Sequence, residues 1–170
     1  MNDIIKKSKN ITLRRTKSTD LEFVISLERE PYNAQYVGQW SKERHMDSLK
    51  DKDILHLIVE DSNTSKPIGY IIMGGIENKD NNIEFRRVVI SDKGKGFGRE
   101  TLKLIKEFSF NQLGAHRLWL DVRCKNTKAQ NLYKSEGFKE EGTLRESVIY
   151  NGSYESIIIM SILEHEYKNN

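Results

Sequence analysis

The sequence has one cysteine, two prolines and no apolar run approaching the ~20 residues of a membrane span. Each scarcity excludes a class. A lone thiol, Cys124, cannot close an internal disulfide, so this is not a disulfide scaffold. No cysteine and histidine cluster carries zinc-ligand spacing, so no metal is expected. The opening MNDIIKKSKN lacks an apolar stretch of signal-peptide length, and the cysteine usage fits a reducing compartment, so the expected location is the cytoplasm. With 36% hydrophobic and 31% charged residues, the chain is neither collagen-like, low-complexity nor wholly disordered. What remains is a globular chain of 170 residues, enough for about one domain with a real core.

Net charge is +3, but the excess is local. Between positions 86 and 106 stand Arg86, Arg87, Lys93, Lys95, Arg99, Lys103 and Lys106 against Asp92 and Glu100. Punctuated by Gly94, Gly96 and Gly98, this segment suits a phosphorylated small molecule better than a nucleic-acid duplex. On charge alone, a solvated helix face explains it as well.

No repeat or Pro-rich linker interrupts the chain, so one domain is expected over residues 11–167, after a loose segment 1–10. Strands are expected at 11–14, 54–60, 68–73, 83–90 and 117–122. Ser18, Thr19 and Asp20 offer N-caps to a helix carrying Leu21, Val24, Ile25 and Leu27, and a second helix is expected after Ser41. Further helices are expected over 98–113 and 127–135. Near the end, Asn151 and Gly152 form the favoured type I′ pair and join two β-rich stretches as a hairpin. Antiparallel strands early and late, with a strand, helix, strand, helix passage between, predict a single α/β domain. Its central sheet is mixed and mostly antiparallel, with helices on both faces.

The segment Lys93-Gly94-Lys95-Gly96-Phe97-Gly98-Arg99 falls between a strand and a helix, where backbone N–H groups and the helix dipole receive phosphate. A Rossmann pattern needs a third glycine where Arg99 stands, and no Gly-Lys-Ser/Thr closes a Walker A loop. The segment instead resembles the coenzyme A pyrophosphate loop of the GNAT superfamily, Gln/Arg-x-x-Gly-x-Gly/Ala, with Lys93 where the family has Gln or Arg. Downstream, Asn126, Ala129, Leu132, Tyr133, Gly137 and Phe138 are similar to the family's Asn-x-x-Ala-x-x-Leu-Tyr-x-x-x-Gly-Phe block. The resemblance covers nearly the whole chain. The hairpin Tyr150-Asn151-Gly152-Ser153-Tyr154 resembles the branch of ribosomal-protein N-terminal acetyltransferases and spermidine N-acetyltransferases.

This resemblance implies acetyl-CoA as co-substrate and direct acetyl transfer to a primary amine. It implies cofactor contacts from a bent strand at Val88, Val89 and Ile90, from the loop at Lys93 to Arg99, and from Asn126, Asn131 and Lys134. Asn126 is equally an N-cap. Tyr133 is the implied proton donor to the departing thiolate, with a packed helix aromatic as the other reading. Glu84 is the implied base, with a surface carboxylate pairing Arg86 or Arg87 as the alternative. Acceptor contacts are expected from Glu28, Glu30, Tyr32, Tyr36 and Trp40, which otherwise end a helix and fill core. The expected partner is a small amine such as spermidine, or a protein N-terminus such as that of a ribosomal protein. A non-catalytic acyl-CoA-binding module is a further alternative. Neither nucleic acid nor a membrane is expected as a partner, and a homodimer is the family's habit.

Overall fold

The computed structural model describes residues 3–91 and 93–169. Eight strands form one sheet: β1 (Ile4–Lys7), β2 (Ile11–Arg15), β3 (Ile54–Asp61), β4 (Pro67–Gly74), β5 (Asn82–Ile90), β6 (Arg117–Arg123), β7 (Lys139–Tyr150) and β8 (Ser153–Leu163). Their spatial order is β1-β2-β3-β4-β5-β6-β8-β7. All neighbours run antiparallel except β5 and β6, which are parallel because a helix crossover separates them.

The segment expected to be loose contains a strand instead. Ile4–Lys7 pairs with β2, Arg15 N–H donates to the Asp3 carbonyl at 2.8 Å, and Lys6 pairs with Glu107. Ile5 packs against the core beneath the sheet while Ile4 stays exposed, and this contact with the strand pairing outweighs the polar composition around it.

Helices cover both faces. On one lie α1 (Leu21–Arg29), the single turn α2 (Pro31–Ala34) and α3 (Lys42–Ser48). Their core is Val24, Leu27 and Trp40 against Ile58, Tyr70, Ile72 and Val89. The other face carries α4 (Phe97–Asn111) and α5 (Thr127–Ser135), and α6 (Glu164–Lys168) ends the chain. The larger core includes Leu102, Ile105 and Phe108 from α4, with Ile83 and Phe85 from β5 and Leu118 and Leu120 from β6. Among the described residues no helix is long and apolar enough to cross a membrane.

One irregularity in β5 sets up the site. Ile72 opposes Arg87 and Gly74 opposes Glu84, so β5 carries one residue more than β4 across this step. Such a bulge bends its strand and reverses which face later side chains occupy. Accordingly Ile83 and Phe85 enter the larger core, whereas Val88 and Ile90 pack against that core and Val89 turns to the other. The bend was expected at 88–90; its extra residue lies upstream, between Glu84 and Arg87. The ladder between β5 and β6 covers Asn82–Glu84 against Arg117–Trp119, and beyond it the strands diverge.

Candidate active site

A cleft of about 910 Å³ opens where β5 and β6 part. Val88, Val89 and Ile90 line one wall, Asp121, Val122 and Arg123 the other. Gly94, Gly96, Phe97, Gly98 and Arg99 close one end, and Asn126, Asn131 and Tyr133 of the α5 region add a side. Lys95 and Lys134 lie off this lining; Lys134 is 3.8 Å from Glu140. Past Glu84 the β6-facing backbone groups of β5 have no β6 partner among the described residues. They face the cleft instead, available to a ligand.

The glycine loop fits a pyrophosphate. Gly94 and Gly96 both adopt φ of +82°, a left-handed conformation that favours glycine. A β-carbon on either would meet nothing within 4 Å, so the space before them is open. Gly96 is the N-cap of the 15-residue α4, whose first-turn N–H groups and dipole favour an anion. These residues therefore suit the pyrophosphate of acetyl-CoA. Arg99 flanks the loop and is tied by Nη1 to Ser135 at 2.9 Å and Glu136 at 2.6 Å. Lys93 also lines the cleft but reaches toward its far side: its Nζ donates to Asn33 Oδ1 at 2.8 Å and sits 3.4 Å from the Tyr32 ring centre. Burial lowers its pKa.

Tyr133 is 8% exposed and lines the cleft. Burial, and then the charge of Asp121, raise its phenol pKa well above the ordinary value. The hydroxyl therefore stays protonated over the usual working range. Asn126 Oδ1 accepts from Ala129 N–H at 3.2 Å, so this residue caps α5 while also bordering the cleft. Glu84 lies off the lining, and its Oε2 is held by Arg86 Nε at 2.8 Å and Nη2 at 2.6 Å.

Of the expected acceptor residues, Tyr32 and Tyr36 line the cleft with ring centres 5.8 Å apart, edge to face. Glu28 requires correction. It is 1% exposed and faces inward: Oε1 accepts from Tyr70 at 2.8 Å and Arg87 at 2.5 Å, and Oε2 accepts from Trp40 N–H at 3.1 Å. Trp40 is likewise core, with the Arg44 and Arg87 guanidiniums 4.2 and 4.9 Å from its ring centre. Glu30, off the lining, accepts from Asn33 Nδ2 at 3.3 Å. Glu28 falls three, four and seven residues after Ile25, Val24 and Leu21, the spacing that puts it on their buried helix face.

Sequence reasoning missed two features. One is a buried chain from Glu28 through His45 and His56 to Thr16, with His45 Nδ1 and His56 Nε2 3.1 Å apart and His56 Nδ1 2.8 Å from Thr16 Oγ1. His45 Nε2 lies 3.2 Å from Glu28 Oε1, out of line for a full hydrogen bond. The other is Asp121. Its signal was strand alternation: Trp119, Asp121 and Arg123 share the face opposite Leu118, Leu120 and Val122. Among the described residues no group of three or more His, Cys, Asp or Glu side chains could hold a metal ion.

Residues 10–139 match the model of the acetyltransferase (GNAT) domain. The chain is 31% identical to a spermidine N(1)-acetyltransferase of Vibrio cholerae over 94% of its own length and 96% of the relative's. It is 26% identical to one of Escherichia coli, over 93% and 88%. The crystal structure of the Vibrio cholerae spermidine N-acetyltransferase in complex with CoA and spermine superposes with a TM-score of 0.86 at 29% identity, covering 95% of this chain and all of that one.

Proposed function

This chain belongs to the GNAT acetyltransferase family, and on that premise we propose that its acceptor is a small polyamine such as spermidine, acetylated on a primary amine. The observation that carries the reading is the cleft between the diverging β5 and β6. It runs from a glycine loop whose open space suits a phosphate to the paired rings of Tyr32 and Tyr36. An aromatic face suits an alkylammonium chain, and Tyr36 offers it most directly because the Lys93 ammonium already lies against Tyr32. The Vibrio cholerae and Escherichia coli relatives, both spermidine N(1)-acetyltransferases, support the same acceptor class.

When bound, acetyl-CoA supplies the activated thioester. The N–H groups of the Gly94 to Gly98 loop and the first turn of α4 would hold its pyrophosphate, with Arg99 adding countercharge. Along Val88 to Ile90, the strand edge without a β6 partner offers backbone donors to the pantetheine arm and the carbonyl oxygen, where charge develops. Asn131 borders the same channel. Tyr133, kept protonated by burial, donates to the departing sulfur.

The test is free-thiol release from acetyl-CoA with a panel of spermidine, spermine and a peptide carrying a free α-amine. Polyamine turnover above peptide turnover is expected. Preference for the peptide would make this an N-terminal protein acetyltransferase, such as one acting on a ribosomal protein. Cofactor binding without thiol release would make it an acyl-CoA-binding module.

A further inference from the structure

An amine must lose a proton before it attacks a thioester, and the acids around this cleft are almost all committed. Glu28 is held by Arg87 and Tyr70, Glu84 by Arg86, Glu136 by Arg99 and Lys106, and Glu155 by Lys125. Asp121 differs. It is the one carboxylate among the described lining residues, it is exposed to the cleft, and no described side chain forms a hydrogen bond or ion pair with it. Asp121 lies two residues beyond Trp119, the last β6 residue paired with β5, where the divergence opens the sheet.

We propose that Asp121 is the catalytic base: its carboxylate receives the acceptor's ammonium group and takes the proton from nitrogen. This rests on the amine-acetylation reading above. The charged and titratable neighbours are Glu84, Arg86 and Arg87 on β5, Arg123 on β6, and Tyr133 on α5. Desolvation by the cleft walls, followed by the like charge of Glu84, raises the Asp121 pKa, and the three arginines offset only part of this. A carboxylate so placed is a stronger base than an ordinary aspartate, and its exposure gives the proton a way out to water.

The ammonium gives its first proton to Asp121, which releases it to solvent. The nitrogen lone pair then forms the C–N bond to the acetyl carbon, and the C–S bond breaks with its electron pair going to sulfur. Tyr133 gives its proton to sulfur. The nitrogen's second proton goes to Asp121 and from there to the Tyr133 phenolate, which restores both groups.

Asp121→Asn keeps the shape and removes the base. With spermidine as acceptor, its kcat should fall by about 10²- to 10⁴-fold, the slope of kcat against pH below neutrality should disappear, and the dissociation constant for acetyl-CoA should stay within about twofold of the parent. Glu84→Gln, measured beside it, should lose at least about tenfold less. A smaller loss in Asp121→Asn than in Glu84→Gln would transfer the role to Glu84. If the parent releases no thiol with spermidine, the acceptor reading has failed, and Asp121 is judged by its own titration. Its carboxyl carbon resonance, assigned by its loss in Asp121→Asn, should titrate above the ordinary value of 3.8 and shift with whichever amine of the panel releases thiol. An ordinary titration, or no shift with that amine, would overturn the proposal.

Discussion

The Arg87 guanidinium and the Glu28 carboxylate meet at 2.5 Å inside the protein although they lie 59 positions apart in the chain. Arg87 belongs to the bent half of β5 that lines the cleft, Glu28 to the last turn of α1. The pair therefore ties the helices of the acceptor side to the strand expected to hold the cofactor. Gly38 leaves room for it, since a β-carbon there would lie 3.1 Å from Arg87 Nη2. Burial raises the Glu28 pKa, but contacts from His45, Arg87, Tyr70 and Trp40 outweigh it and keep the carboxylate ionised.

Removing one partner of a buried ion pair leaves the other charge uncompensated, at a cost of about 3–5 kcal/mol. Glu28→Ala should show a loss of that size in urea denaturation. If Glu28 only greeted a cationic substrate from the surface, the variant would raise the Michaelis constant for spermidine and leave stability within about 1 kcal/mol of the parent.

His56 makes the same network sensitive to acid. Burial, and then the neighbouring His45, lower its pKa from 6.5 to about 3, so it is neutral in the folded state. The unfolded chain binds a proton at His56 below pH 6.5, and the folded chain does not until about pH 3. Stability is therefore present above the unfolded value and is lost as pH falls through this window, by up to about 1.4 kcal/mol per unit. Between about pH 5 and 6.5, above the range where carboxylates contribute, the parent should lose stability on acidification more steeply than His56→Gln. Parallel stability curves for the two proteins would show that His56 protonates freely in the fold.

Local signals carried most of the architecture. The strand, glycine loop and helix passage was legible because Gly94, Gly96 and the apolar spacing of Leu102, Ile105 and Phe108 each depend on near neighbours. The Asn151-Gly152 hairpin was legible for the same reason. The Glu28 environment was not, because Arg87, Tyr70 and His45 converge on it from three other elements. Asp121 was hidden differently: it looks like any polar residue on a half-buried strand until β5 bends away. That bend follows from an extra residue between Glu84 and Arg87, which only the pairing with β4 reveals.

At the glycine loop, Gly96→Val should weaken acetyl-CoA binding at least about tenfold. Its side chain would project into open space at the helix N-terminus, where the pyrophosphate is expected, and would strain a position at φ +82°. Such strain costs on the order of 1–3 kcal/mol, so a lower melting temperature is also expected without ligand. The thermal shift given by acetyl-CoA separates the two effects, because it reports binding to the folded chain. A variant that melts earlier yet gains the full shift would remove the loop from the phosphate site.

At Tyr133, burial and chemistry make a joint demand. Tyr133→Phe keeps the ring and its packing against Phe138, whose ring centre is 5.8 Å away, and removes one hydroxyl. If that hydroxyl protonates the departing thiolate, turnover falls by about 10²- to 10⁴-fold while acetyl-CoA binding changes little. The lower end is expected, because a thiolate can also leave without a proton at moderate cost. The parent's pH profile supplies an independent check. An ordinary phenol ionises near 10 and would switch the acid off there, but burial and the Asp121 charge raise this pKa. Single-turnover rates of the parent should therefore not fall from phenol ionisation up to about pH 10, while Tyr133→Phe runs parallel and lower over the same range. Equal rates in the two proteins, with circular dichroism showing the same fold, would make Tyr133 a packing residue and give the proton to water.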